Sequence, residues 1–192
     1  MPTRDLTFAI VGSGGDGVIT VGDMMAQTGA SEGLHVMKVE AYGPQIRGGE
    51  SSCTVRLSAD PIFAQGDLVQ VLVVFNWADF GQFRGEIIAA ENAIVLYEAT
   101  DETPREEIDL GPVEEVRWVP VPFIELAKES AGTTLAKNIV SSIACSKYQR
   151  HPAPKIRAGS MAAYRQNAVF NGMRIAESPV SINAGNTLPS GR

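Results

Sequence analysis

The sequence predicts a single three-layer α/β/α domain built on a mostly parallel sheet. Short apolar runs alternate with segments of helical periodicity, and glycine clusters follow the first two apolar runs. The chain has 192 residues, of which 44% are hydrophobic and 20% charged, which is enough for one domain with a buried core. We expect residues 1–176 to form this domain and the polar residues 177–192 to form a C-terminal tail.

The order of the elements follows from hydrophobic periodicity. Apolar or alternating runs predict strands at residues 6–11, 35–42, 51–58, 68–75, 93–97 and 116–121. Helical spacing and capping residues predict helices at residues 17–33 and 76–88, a short helix from 122, another from 133 or 134, and a last one ending near 176. In the third strand, Cys53, Val55 and Leu57 are predicted to share one face, opposite Thr54 and Arg56.

Charge is distributed unevenly along the chain. The net charge is −6, but residues 1–140 contain 9 basic and 21 acidic residues, whereas residues 141–192 contain 7 basic and 1 acidic residue. The acidic body argues against nucleic-acid binding. The basic end is expected either to dock on an acidic surface, of this chain or of a partner, or to be a solvated helix.

Several potentially reactive residues are predicted to be structural. Cys53 and Cys145 are far apart and lack metal-ligand spacing, which indicates reduced, buried thiols in a cytoplasmic protein. No apolar run approaches the ~18 residues of a membrane span. His35 and His151 have no partner at the spacing of a triad or a metal site. Helically spaced aromatic residues are predicted to anchor a core or an interface, at Trp77, Phe80 and Phe83.

The first glycine cluster has the spacing of a dinucleotide-binding turn. Gly12, Gly14 and Gly17 lie between a predicted strand and a predicted helix, and Glu40 stands where a ribose-binding acid would. This pattern supports one hypothesis, a stand-alone, Rossmann-like oxidoreductase that binds NAD or FAD. The opposing interpretation is that these glycines only allow tight packing of strand against helix.

The same cluster contains Gly15-Asp16-Gly17, which is similar to the start of a thiamine-diphosphate Mg²⁺ motif. That motif needs a later Asn, and residues 41–47 contain none, so we expect no metal or cofactor ligation by Asp16. Instead, the Asp16 carboxylate is predicted to cap the following helix.

The second glycine cluster, residues 42–50, reads YGPQIRGGE. Its Arg47 guanidinium can bind a phosphate or carboxylate through two hydrogen bonds, or it can pair internally with Glu50 or Glu40. Tyr42 is expected either to line the same site or to be a core residue at the strand end. The remaining candidates are Gln45, which flanks the turn, and three glycines predicted to supply unusual backbone angles, Gly43, Gly48 and Gly49.

The two clusters together resemble the gamma subunit of 2-oxoacid:ferredoxin oxidoreductases. The matching residues are Gly12, Gly14, Gly15, Gly17 and Val18, then Tyr42, Gly43, Pro44, Arg47, Gly48 and Gly49, followed by residues 55–58, 68–75, 137–140 and 167–176. The match departs at Asp16, where many members have Gln, and is loose near residues 141–160, where the family's helix pair is shortened to about residues 141–150. The resemblance covers most of residues 5–176.

The resemblance implies a subunit that carries out no chemical step by itself. Partner subunits would hold thiamine diphosphate, Mg²⁺ and iron–sulfur clusters, CoA would be a co-substrate, and ferredoxin or a similar protein would accept the electrons. This chain would support assembly and enclose part of the active site on its CoA side. A third hypothesis is a pure scaffold whose glycine loops bind nothing. Both glycine loops are expected at the same end of the sheet, where the first two strands end.

Overall fold

The computed structural model describes residues 5–44 and 48–131. These residues form six strands and three helices, in the order β1 (Asp5–Ser13), α1 (Val18–Ser31), β2 (His35–Tyr42), β3 (Glu50–Ser58), β4 (Leu68–Val74), α2 (Trp77–Phe80), β5 (Ile88–Glu98), β6 (Val116–Val121) and α3 (Phe123–Ala131). Two 3₁₀ turns occur, at Gly81–Phe83 and Arg105–Glu107. The predicted helices after residue 132, the predicted boundary at 176, Cys145 and His151 lie outside the described residues.

The six strands form one sheet in the order β2-β3-β1-β4-β5-β6. The pairings β1–β4, β4–β5 and β5–β6 are parallel, whereas β3 runs antiparallel to both of its neighbours. Five strands therefore share one direction and β3 opposes them. This confirms the predicted α/β fold with a mostly parallel sheet.

Both faces of the sheet are covered by apolar side chains. On one face, α1 and α3 pack against inward residues of β1, β3 and β4, and the predicted alternation of β3 is confirmed because Cys53, Val55 and Leu57 are all buried there. On the other face, a second cluster is built by α2, the first 3₁₀ turn and the loop before β6, with Trp77, Phe80, Phe83 and Leu110. The three aromatic residues predicted as anchors are thus core residues.

The approach of α1 to the sheet depends on a small residue at one position. Gly22 of α1 lies directly over Cys53 of β3, and a Cβ atom at Gly22 would collide with the Cys53 sulfur. Gly22 thereby lets the helix lie close to the strand that follows the second glycine cluster.

The helix predicted over residues 76–88 is wrong in length. Asn76 does cap it, accepting a hydrogen bond from the Ala78 amide at 2.8 Å, but α2 ends at Phe80. Two glycines follow within five residues, and Gly85 has a φ of 84°, which is incompatible with a right-handed helix. Strand β5 accordingly starts at Ile88 rather than near residue 93.

In the described residues, no helix is both long and apolar enough to span a bilayer.

Candidate functional site

The antiparallel strand β3 brings the two glycine clusters together. Its pairing with β1 continues to the end of β1, so that Gly12 lies opposite Ser51 and Ser13 opposite Glu50. The Gly14 amide then donates a hydrogen bond to the Gly49 carbonyl at 2.7 Å. A Cβ atom at Gly14 would lie 3.1 Å from the Gly48 Cα, so the two backbones approach closely there. The predicted proximity of the two loops at one sheet edge is confirmed.

The backbone amides in the turn after β1 donate hydrogen bonds to groups within the chain. The Ser13 amide donates to Asp16 Oδ2 at 3.1 Å, the Asp16 amide donates to the Ser13 carbonyl at 3.0 Å, and the Gly14 amide is held by Gly49. A pyrophosphate needs such amides, together with space for its own negative charge, at the helix N-terminus. The Asp16 carboxylate lies in this turn and adds a negative charge beside its amides, so the turn does not suit a dinucleotide.

The prediction that Asp16 caps α1 is also wrong. The N-cap residue is Gly17, whose φ is 78° and which has no side chain to accept a hydrogen bond. The Asp16 carboxylate instead accepts a hydrogen bond from the Ser13 amide and so closes the turn before the helix. Gly15, at a φ of 101°, gives this turn its left-handed bend.

The second cluster is the loop of the β2–β3 hairpin. Tyr42 pairs with Ser51, and the Gly43 amide donates to the Glu50 carbonyl at 2.7 Å, which closes the loop. Of the three glycines predicted to supply unusual backbone angles, Gly48 has a positive φ, of 69°, whereas Gly43 and Gly49 do not. A Cβ atom at Gly43 would meet the Glu50 carboxylate, which is the end of a flexible side chain that can move aside.

Tyr42 is not a core residue, because its exposed fraction is 64%. Its side chain leaves the sheet at the last residue of β2, and its hydroxyl donates to the Glu40 carboxylate. Gln45 and Arg47 lie outside the described residues, so their predicted roles stay predictions.

A group of charged side chains surrounds β2 below this loop. Lys38 binds both Asp23 of α1 and Glu40. Partial burial alone would lower the pKa of Lys38, but its hydrogen bonds to these carboxylates raise it well above its ordinary value. The Lys38 and Tyr42 hydrogen bonds lower the pKa of Glu40. Glu40 is thus engaged within the chain, which removes the basis for a ribose-binding role.

One site residue was not found from the sequence. Asp79 of α2 accepts a hydrogen bond from the Ser13 hydroxyl at 2.6 Å. These residues are 66 positions apart, and Asp79 resembles any acid in the first turn of a helix. Only the placement of α2 against the end of β1 brings Asp79 to the first glycine cluster.

Three further polar residues in the described part of the chain have structural contacts. Arg56 forms an ion pair with Asp5 and donates to the Ala64 carbonyl at 2.7 Å. Cys53 is fully buried, and burial raises the pKa of its thiol to about 12. Glu98, which is 4% exposed at the end of β5, accepts the Ile124 amide at 3.1 Å and so stabilises the start of α3.

Comparison with known proteins relates this chain to a family. The family model described as pyruvate ferredoxin/flavodoxin oxidoreductase matches residues 7–171. The ketoisovalerate oxidoreductase subunit VorA of Methanothermobacter marburgensis is 38% identical over 136 residues, which cover 70% of this chain and 27% of VorA. The 2-oxoglutarate synthase subunit KorC of Archaeoglobus fulgidus is 29% identical over 139 residues, which cover 72% of this chain and 67% of KorC.

Two solved structures are similar to this chain. The 2-oxoglutarate:ferredoxin oxidoreductase from Magnetococcus marinus, solved with 2-oxoglutarate, coenzyme A and succinyl-CoA bound, superposes with a TM-score of 0.69 at 26% identity, over 88% of this chain and 28% of that one. The keto/oxoacid ferredoxin oxidoreductase gamma subunit from Geobacter sulfurreducens superposes with a TM-score of 0.62 at 22% identity, over 84% and 85% of the two chains, and shares the fold.

The chain spans 27% of the length of VorA and 28% of the Magnetococcus chain, so it corresponds to one part of those larger proteins. The stand-alone dinucleotide-binding hypothesis finds no support in these relatives or in the geometry of the first turn. Because the family model covers more than half of its residues, the chain belongs to the pyruvate ferredoxin/flavodoxin oxidoreductase family.

Proposed function

We propose that this chain is the gamma-type subunit of a multi-subunit 2-oxoacid oxidoreductase. That enzyme would decarboxylate a 2-oxoacid oxidatively, transfer the acyl group to CoA, and pass electrons to ferredoxin or a similar acceptor. Partner subunits would carry thiamine diphosphate, Mg²⁺ and the iron–sulfur clusters, and the complex would be cytoplasmic. The similarity to VorA, KorC and the Magnetococcus enzyme supports this proposal.

The observation that carries the proposal is the contact between the two glycine clusters. The first cluster is closed by its own hydrogen bonds, and it supports the second through Gly14 and Gly49. The second cluster ends β2 at an exposed Tyr42 and contains the sequence Arg47-Gly48-Gly49. A supported loop with one arginine suits contact with a phosphate-rich co-substrate or an acidic partner surface. Its role would be to enclose the CoA side of the active site.

Mild affinity purification of the tagged chain from its native cytoplasm tests the assignment. We expect partner subunits to co-purify, with thiamine, iron and CoA-dependent dye reduction in the eluate. A panel with ketoisovalerate, 2-oxoglutarate, pyruvate and an aromatic 2-oxoacid would identify the substrate. A chain that purifies alone, without thiamine or iron, would contradict the proposal.

The role of the second loop is tested in the assembled complex with Arg47→Ala. Losing a charge-assisted contact to CoA is expected to raise the KM for CoA about tenfold, with a smaller change in the KM for the 2-oxoacid. Arg47→Lys retains the charge but not the bidentate hydrogen bonding. Its KM for CoA should therefore lie between those of Arg47→Ala and the wild type. Arg84→Ala, an exposed arginine near the start of β5, is the matched control. Unchanged kinetics for Arg47→Ala in an intact complex would contradict this role.

A further inference from the structure

Helix α2 is held rigidly against the sheet. Trp77 and Phe80 are 5% and 2% exposed, with their rings packed edge to face at 5.5 Å between centroids. The first two amides of α2 are both engaged, the Trp77 amide by Asp101 at 3.0 Å and the Ala78 amide by Asn76 at 2.8 Å. Helix α2 is thus a fixed platform beside the end of β1.

Asp79 connects this platform to the first glycine cluster. Its side chain is half-buried and accepts the Ser13 hydroxyl at 2.6 Å, a charge-assisted hydrogen bond. Ser13 has a second fixed point, because its amide donates to Asp16. These two hydrogen bonds hold Ser13 through both its side chain and its amide. They thereby restrain the position of the next residue, Gly14.

The Gly14 amide in turn holds the second cluster, through its 2.7 Å hydrogen bond to the Gly49 carbonyl and the close approach of Gly14 to Gly48. Neither glycine has a side chain that could adjust to a displacement. A shift of Ser13 is therefore transmitted directly to the backbone two residues after Arg47.

We propose that Asp79 is a positioning residue that sets the place of Gly48 and Gly49 in the second glycine loop, acting through Ser13 and Gly14. The inference rests on the proposed function, in that this loop is taken to contact the CoA side of the active site. Asp79 itself is not proposed to touch CoA. Its effect should therefore appear as weaker CoA binding, with the chemical step unchanged.

The experiment measures steady-state kinetics of the assembled complex for Asp79→Ala, Asp79→Asn and Ser13→Ala. Asp79→Ala and Ser13→Ala each remove one end of the hydrogen bond and should raise the KM for CoA about 3- to 10-fold, with kcat and the KM for the 2-oxoacid within about twofold of wild type. Asp79→Asn retains an acceptor oxygen and should rescue most of the CoA affinity. The double variant Asp79→Ala/Ser13→Ala should have a KM for CoA no higher than that of either single variant, because the two substitutions remove the same hydrogen bond.

Several outcomes would overturn the inference. One is an unchanged CoA KM in Asp79→Ala and Ser13→Ala while Arg47→Ala raises it; the proposed function would then stand. Equal changes in kcat and in both KM values would indicate a merely structural acid.

If Asp79→Ala does not assemble, the KM for CoA of Ser13→Ala and Ser13→Thr tests the inference instead, since Thr keeps the hydroxyl. If the wild-type chain shows no partners or CoA-dependent activity, the proposed function itself fails.

Discussion

The two glycine clusters differ in what their backbones do. In the first, the amides of Ser13, Gly14 and Asp16 all bind groups within the chain, and the Asp16 carboxylate accepts one of these hydrogen bonds. In the second, the described residues close the loop at its base through Gly43 and Glu50, Gly14 of the first cluster holds Gly49, and Tyr42 beside the loop is largely exposed. Similar glycine content therefore serves a packed support in one case and a presented loop in the other. Substitutions of the packed glycines should affect stability in the first cluster, whereas substitutions in the second cluster should affect ligand kinetics.

The largest effect on stability is expected from Gly12→Ala in the first cluster. A Cβ atom there would lie 2.9 Å from the Phe75 ring and 3.0 Å from Asp16 Oδ2, in a buried position with little room to relax. Overpacking of this kind costs about 1–3 kcal/mol of unfolding free energy. Gly81→Ala is the control, since nothing lies within 4 Å of its Cβ and its φ is −55°. Equal melting temperatures for the two variants would show that the first cluster is not tightly packed.

The second prediction concerns pH and the packed layer behind the loops. Burial raises the pKa of the Cys53 thiol from 9.0 to about 12, so the folded chain holds a proton that the unfolded chain loses. The contribution of Cys53 to stability is complete below pH 9 and is lost as the pH rises from 9 towards 12. At pH 10 this loss is about 1.4 kcal/mol relative to neutral pH.

This prediction is checked by chemical denaturation at pH 7 and pH 10, comparing Cys145→Ser with the double variant that adds Cys53→Ala. The double variant should lose less stability between the two pH values. A thiol reagent should also leave Cys53 unmodified in the folded Cys145→Ser chain at pH 8. Rapid modification would mean that the layer between α1 and β3 is open to water.

A third, smaller effect is expected from Gly48→Ala in the second cluster. The φ of 69° at Gly48 costs a residue with a Cβ atom about 1 kcal/mol. Gly48→Asn should cost less, because Asn tolerates the left-handed conformation better. In the assembled complex both variants should raise the KM for CoA. Their melting temperatures should fall only by the amount that this backbone cost predicts. A change in melting temperature without a kinetic change would place this loop with the packed one.

The smallest effect on stability is expected from Gly43→Ala. The added Cβ would meet only the end of the Glu50 side chain, which can swing towards solvent. We expect less than about 0.5 kcal/mol of destabilisation, and none beyond the Glu50→Ala background in Glu50→Ala/Gly43→Ala. Calorimetry of the single and double variants measures this. A large loss that persists without the Glu50 side chain would show that the hairpin base is a packed element.

Much of the fold was predictable because its signals are local. The apolar runs predicted the six strands, and the helical spacing in residues 17–33 predicted α1. The alternation of β3 correctly predicted that Cys53, Val55 and Leu57 are buried. The motif residues in segments 12–18 and 42–49 sufficed for the family resemblance. These features depend on neighbouring residues along the chain and on the period of the side chains.

The features that the sequence did not determine depend on distant partners. The direction of β3 is decided by its pairing with β1 and β2, and this direction brings Gly14 to Gly49. The exposure of Tyr42 follows from where the chain turns at the end of β2. Asp79 became a site residue only because α2 packs against β1, 66 positions away from Ser13. Periodicity determines which residues are buried, whereas tertiary packing decides which loops meet, since only packing joins segments remote in sequence.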